Sequence, residues 1–136
     1  MYSFMEHCKQ YDEYNGSVAV VVCDINHLSD INIQYGQKAG NQALINVAGV
    51  LKKILMDRAY IARINEGNFV AVMKNVTDAE AGKTFEQIKR TVEKECSNGK
   101  FGVTIEYGIA MRKASNRWIM DIVHEAVNDM RDRKGR

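Results

Sequence analysis

Apolar positions along the chain change period several times, and each change marks a new element. Phe4, Cys8 and Tyr11 recur at helical spacing ahead of the turn dipeptide Asn15-Gly16, which predicts a short N-terminal helix. The run Val18-Ala-Val-Val-Val-Cys23 contains no polar position. Side chains pointing both ways from such a run are apolar, so it predicts a central strand covered on both faces. A short polar helical stretch, Ser29 to Tyr35, comes next. Leu44, Val47, Ala48, Leu51, Ile54 and Leu55 then trace one face, predicting an amphipathic helix from Asn41 to about Met56.

Tyr60 to Ile64 and Phe69 to Met73 read as strands, and the turn-rich tetrapeptide Asn65-Glu-Gly-Asn68 between them predicts an antiparallel hairpin. Thr77-Asp-Ala-Glu80 has the spacing of a capping box, and Ala81, Phe85, Ile88 and Val92 continue it as a second long helix. Gly102 to Ala110 is strand-like, and Ile119, Ile122, Val123, Ala126, Val127 and Met130 form the stripe of a last helix. A βαββαβ order with an added helix is most simply buried as an α+β fold of the ferredoxin-like kind, with helices packed on a central mixed sheet.

With 136 residues, 46% of them hydrophobic and 26% charged, the chain has the size and balance of one folded domain, residues 1–136. Lys and Arg exceed Asp and Glu by only 19 to 17, so no long-range positive field favours a nucleic-acid partner. No apolar run approaches the length of a membrane span and no basic-then-apolar leader opens the chain, which predicts no membrane contact by this segment. Cys8, Cys23 and Cys96 are odd in number and lack Cys-x-x-Cys spacing, against a disulfide framework or a structural zinc site and in keeping with a reducing cytoplasm. His7, His27 and His124 are scattered singly. Gly82-Lys83-Thr84 fails as a phosphate loop because Thr77 stands where a glycine is required and the triplet lies in a helical pattern. Asp24-Ile-Asn26 fails as a calcium loop because Ser29 and Tyr35 replace the required Gly and Glu.

Asp24 remains, at the carboxyl end of the buried strand and opposite a hairpin turn, where ligands and metals gather in such sheets. Capping of the following turn is the plainer reading of the same position. A longer pattern bears on the choice. Asp24-Ile-Asn-His-Leu-Ser-Asp-Ile-Asn32, Tyr35-Gly36, Ala39-Gly40-Asn41, Ala62-Arg63-Ile-Asn-Glu-Gly-Asn-Phe69 and Val103-Thr-Ile-Glu-Tyr-Gly-Ile-Ala110 together resemble the GGDEF family of diguanylate cyclases along nearly the whole chain. The resemblance implies a fold akin to the nucleotidyl cyclase core. It also implies a chemistry in which two GTP molecules, each held by one protomer of a pair, condense to cyclic di-GMP with divalent metal held by carboxylates.

On that resemblance Asp24 and the carbonyl of Ile25 are the remains of a metal site, and Asn32, Asn41 and Arg131 those of a nucleotide site. The signature itself reads Asn65-Glu66-Gly67-Asn68-Phe69, with only the Phe intact. Gly67 removes the acidic metal ligand, and Asn68 puts a neutral amide where the family has Glu. Glu66 adds a negative charge where polyphosphate would lie. Asn41 stands for an Asp that accepts two hydrogen bonds from guanine, and an amide leaves one guanine donor unpaired at about 1–3 kcal/mol. Ser29 replaces a phosphate-contacting Lys. The expectation is a degenerate, catalytically inactive GGDEF domain that needs no cofactor, keeps at most a vestigial Mg²⁺ site and binds GTP or ATP weakly. It would act on other domains of the same protein, on a signalling partner or on a second copy. Its setting is expected to be cytoplasmic, as a piece of a larger protein that is itself membrane-attached or soluble. Residual nucleotide chemistry, such as slow diguanylate cyclisation or NTP hydrolysis, and a purely structural dimerisation role are the alternatives.

The family's product-inhibition motif, Arg-x-x-Asp, would run from Met56 to Ala59 and is absent. Calorimetric titration of the chain with cyclic di-GMP is therefore expected to give no saturable binding at micromolar concentrations; a micromolar isotherm would contradict this reading.

Overall fold

Eight consecutive positions of the first strand, β1 (Val18–Ile25), are buried except for half-buried Asp24, because the strand is central to its sheet and helices cover both sides of it. The computed structural model describes residues 2–65, 67–113 and 117–134. Around β1 the chain runs α1 (Tyr2–Glu13), α2 (Leu28–Tyr35), α3 (Gln37–Leu55), a single 3₁₀ turn (Met56–Arg58), β2 (Tyr60–Arg63), β3 (Asn68–Lys74), α4 (Asp78–Glu95), β4 (Ile105–Arg112) and α5 (Ile119–Lys134). The strands lie in the order β2-β3-β1-β4, the ferredoxin-like arrangement expected from the sequence.

The sheet is antiparallel at every pairing, β1 with β3, β1 with β4 and β2 with β3, and not mixed. The crossover from β1 through α2 and α3 to β2 skips one strand position, and the hairpin folds β3 back into the gap. Parallel β1 and β2 are thus never neighbours.

Alternate side chains of β1 feed two cores. Ala19, Val21, Cys23 and Ile25 pack with Val47, Leu51, Phe85 and Ile88 of α3 and α4, while Val18, Val20 and Val22 pack with Phe4, Ile119, Ile122 and Ala126 of α1 and α5. Burial of the Cys23 thiol, aided by the neighbouring Asp24 charge, pushes its pKa up to about 12, so it stays neutral as a small apolar group. The capping box of α4 forms as read, with Glu80 N–H donating to the Thr77 hydroxyl and Thr77 N–H donating to the Glu80 carboxylate.

Boundaries differ from the sequence reading where the apolar stripe is silent. α3 starts at Gln37, directly after Gly36 at φ 94°, because its first turn is polar and offers no periodic signal. β4 begins at Ile105 and runs on to Arg112, whose side chain is buried although charged, with the residue 1% exposed. Its guanidinium donates to the carbonyls of Tyr14 (2.6 Å) and Arg117 (3.4 Å) and lies 4.0 Å from the Asp12 carboxylate. Asp12 also accepts from the N–H of Ile119 at 2.6 Å, satisfying a donor in the first turn of α5. The end of α1 is thereby tied to both β4 and α5.

α5 crosses β4 at Gly108, where an added methyl group would overlap the carbonyl oxygen of Ala126 and the backbone nitrogen of Met130. Both obstacles are helix backbone, which cannot swing aside as a side chain can. Gly108→Ala is expected to cost about 3 kcal/mol or more of stability, measured by urea unfolding; a loss below about 0.5 kcal/mol would show that α5 is free to shift.

Candidate functional site

The site forms where β1 ends. Antiparallel register sets Asp24 opposite Asn68 of β3, and the hairpin is held against β1 by the Ile25 N–H, which donates to the Gly67 carbonyl at 3.2 Å. Phe69, opposite Cys23, is buried in the core under α3 and α4 and anchors the hairpin from below. The turn closes on itself: Ile64 N–H donates to the Asn68 carbonyl at 3.0 Å, and the Asn68 side-chain amide donates to the Asn65 side-chain oxygen at 2.6 Å. Glu66 lies outside the described residues.

Gly67 faces Asp24 directly. A methyl group at position 67 would sit 3.3 Å from Asp24 Oδ1 and 3.2 Å from a Leu28 methyl, so a side chain there points at the carboxylate. The other oxygen, Oδ2, accepts from Lys134 Nζ at 2.5 Å. The Asp24 side chain is 26% exposed and that of Lys134 35%, so the pair is half sheltered from solvent. Lys134 comes from the last turn of α5, which the crossing at Gly108 directs to this end of the sheet.

Of the residues singled out in the sequence, Asp24, Ile25, Asn32 and Gly67 line one cleft of about 340 Å³ together with His27, Leu28 and Ser29. Asn32 is seated over Gly40 of α3: a methyl at 40 would overlap its side-chain oxygen. Among the described residues nothing donates to that buried oxygen, and the same holds for the side-chain oxygen of Asn68. The site thus holds two acceptors without donors. Asn41 is not brought into this cleft; it is exposed on α3 and accepts from Gln37 Nε2 at 3.0 Å. Arg131 is likewise exposed, and the cation that meets Asp24 is Lys134, three residues further on.

Lys134 is the site residue that the sequence reading missed. The signal available was a basic last turn of α5, carrying Arg131, Arg133 and Lys134, and only the helix's rotation on Gly108 selects among them. Arg133 has a different task. Its guanidinium stacks over the Tyr107 ring at 4.7 Å and donates to Asp129 at 2.9 Å; burial opposes its charge, but Asp129 outweighs this and raises its pKa. Asp129 accepts in addition from the Ile109 N–H at 2.9 Å, which pins the helix to the edge strand. Burial, and then donation to Glu86 at 2.5 Å, push the Tyr107 phenol up to about 12, so it remains a donor.

Chemically the arrangement offers one carboxylate, already matched by an ammonium, and two unengaged amide oxygens. Among the described residues no three His, Cys, Asp or Glu side chains converge as a metal-binding group.

The chain matches the family described as diguanylate cyclase, GGDEF domain, over residues 3–136. It is 27% identical over 101 residues to diguanylate cyclase A of Treponema denticola, an alignment that covers 72% of this chain and 27% of that protein. The chain therefore spans about a quarter of the length of that curated relative. Among solved structures, the GGDEF domain of DgcB from Caulobacter crescentus, in complex with c-di-GMP, superposes with a TM-score of 0.88 at 20% identity, covering 98% of this chain and 83% of that one. The FimX GGDEF domain from Pseudomonas aeruginosa gives a TM-score of 0.82 at 18% identity, with 96% and 83% covered. These superpositions show a common fold.

The geometry at position 67 generates a gain-of-function test. The double substitution Gly67→Asp with Lys134→Met places a second carboxylate against Asp24 and removes the competing ammonium. Its Mn²⁺ affinity, read by water-proton relaxation, is expected to rise by at least about tenfold over the unaltered chain; equal affinities would mean that residue 67 does not face Asp24.

Proposed function

This chain belongs to the GGDEF family of diguanylate cyclase domains, and we propose that it serves there as a catalytically inactive signalling domain, a regulatory or interaction module that binds nucleotides only weakly. The observation that carries this reading is the Asp24–Lys134 ion pair beside Gly67. Nucleotidyl transfer needs divalent cations to neutralise the phosphates and hold the reacting groups in line. The residues present do not fit Mg²⁺, which favours near-octahedral oxygen ligation with carboxylate support. One carboxylate is available, a covalently attached cation already satisfies it, and position 67 supplies no side chain. No step of the family's reaction is routed through this site.

Signalling through contacts remains open to such a domain because the fold is intact while the chemistry is not. Relatives of this fold include the diguanylate cyclase SiaD from Pseudomonas aeruginosa, solved with its activator SiaC, a GGDEF protein that is engaged by another protein. For this chain the partners are proposed to be flanking domains of a longer protein, a signalling partner or a second copy.

A second reading, nucleotide sensing without turnover, is favoured by one observation. Asn32 lines the cleft beside Asp24, and its unpartnered side-chain oxygen, buried over Gly40, would accept from a purine N–H once the amide turned outward. Against tight binding stand the missing carboxylate at 67, the missing phosphate Lys at 29 and the occupied Asp24. Loss of two or three charge-assisted contacts, each about 1.5–3 kcal/mol, removes most of the roughly 8 kcal/mol of a micromolar ligand.

Incubation of the chain with GTP and Mg²⁺ or Mn²⁺ is expected to yield no cyclic di-GMP by chromatography. Product formed in proportion to protein, and absent from an Asp24→Ala control, would overturn the inactive reading. Calorimetry is expected to give GTP and ATP affinities no tighter than about 100 μM with little preference between them. Mg²⁺-dependent, low-micromolar binding with tenfold preference for GTP would make the domain a GTP sensor.

A further inference from the structure

A cleft roomier than the one at Asp24 lies elsewhere among the described residues. A cavity of about 530 Å³ opens between the end of α2, the middle of α3 and the 96–101 loop that leads from α4 towards β4, and it shares no lining residue with the cleft at Asp24. Its size lies in the range of small-molecule sites. Ala39 and Ala43 of α3 and buried Cys96 form an apolar wall, and the small alanine side chains leave the space unfilled. Tyr35 and Phe101 supply two aromatic rings, with centroids 4.7 Å apart.

The walls are held in place before any ligand arrives. Tyr35 donates its hydroxyl to the Lys100 carbonyl at 3.0 Å, tying α2 to the loop. Within the loop the Asn98 side-chain oxygen accepts from the N–H groups of Lys100 (2.7 Å) and Phe101 (3.1 Å), and the Ser97 hydroxyl accepts from Val103 N–H at 2.8 Å. Preorganised walls lower the ordering cost of binding.

The polar rim is rich in donors. Gln42 Nε2 donates to Asn46 Oδ1 at 2.9 Å, so the Asn46 oxygen is used and its amide N–H₂ is left over. The Asn98 oxygen is used by the loop, and its N–H₂ is left over as well. Lys100 forms no ion pair among the described residues. Spare amide N–H groups of Gln42, Asn46 and Asn98 and the ammonium of Lys100 outnumber the spare side-chain acceptors of the lining, the Gln42 oxygen and the Tyr35 hydroxyl oxygen. Such an inventory suits an anion, and the alanine wall with its two rings suits a flat apolar body.

We propose that this cleft is a binding site for a planar aromatic monoanion, an aryl carboxylate or sulfonate, whose ring lies against Tyr35, Phe101 and Ala43 and whose anionic group meets Lys100, Asn46 and Asn98. A ligand there would brace the α2–α3 pair against the 96–101 loop, on a flank of the domain separate from Asp24. The inference stands apart from the nucleotide reading, since neither cleft lends the other a residue.

Anilinonaphthalene sulfonate is a suitable probe, with uncharged N-phenylnaphthylamine as the counterpart that keeps the rings and lacks the charge. The folded chain is expected to bind the sulfonate saturably with one-to-one stoichiometry, with NMR amide shifts concentrated at Tyr35, Ala43 and Asn98 to Phe101. The uncharged probe and the Lys100→Met variant are each expected to weaken binding about fivefold, the scale of one exposed charge contact. Ala39→Phe, at a half-buried rim position, is expected to abolish binding while circular dichroism stays unchanged. Amide shifts confined to other surfaces, equal affinity for the charged and uncharged probes, or no saturation below millimolar concentration would each overturn the proposal, and none of these results depends on whether the domain makes cyclic di-GMP or binds GTP.

Discussion

The contact between α5 and Gly108 governs the geometry of the carboxyl end of the sheet. With no side chain at 108, helix backbone lies directly on β4, and two contacts tie the helix to that strand, the Ile109 N–H donating to Asp129 and the Arg133 guanidinium lying over the Tyr107 ring. From that seat the last turn delivers Lys134 to Asp24 across 110 residues of sequence. At the other end Asp12 caps α5 and faces Arg112. The N-terminal helix, the edge strand and the site cation are therefore parts of one rigid arrangement.

Packing, and not the ion pair, supplies the energy of that arrangement. Asp24 and Lys134 are both partly exposed, and such a pair contributes at most about 1 kcal/mol. The burial of Ile119, Ile122, Val123, Ala126 and Met130 along α5 is worth several times that. The ion pair follows from where the helix lies, and its consequence is chemical: it places an ammonium against the Asp24 carboxylate. A lysine tethered to the fold competes with a solvated divalent ion without loss of translational freedom, while Gly67 removes the second carboxylate that would tip the balance.

The hairpin is anchored in the core by Phe69 and bonded to β1 through the Ile25 N–H, so the fold fixes its place beside Asp24. The described turn residues beside Asp24 are two amides and a glycine, Asn65, Asn68 and Gly67. On the function proposed above, such a site would keep its surfaces for docking and would lack the charge stabilisation on which phosphoryl transfer relies.

Most of the fold was legible in local pattern. The unbroken apolar run of β1 announced burial on both faces, the Thr77–Glu80 spacing announced the start of α4, and Asn65 to Asn68 announced the hairpin, because each signal lies within a few residues and reports local periodicity or turn chemistry. That position 67 carries no side chain could also be read directly. Other features belonged to the tertiary structure alone. The antiparallel sense of the sheet depended on where β3 inserted, the outward position of Asn41 and the seating of Asn32 over Gly40 depended on how α2 packs on α3, and the choice of Lys134 over Arg131 and Arg133 depended on the rotation of α5 about Gly108. Each is a question of which distant surfaces meet and in what register, and spacing along the chain carries no record of a contact made across a hundred residues.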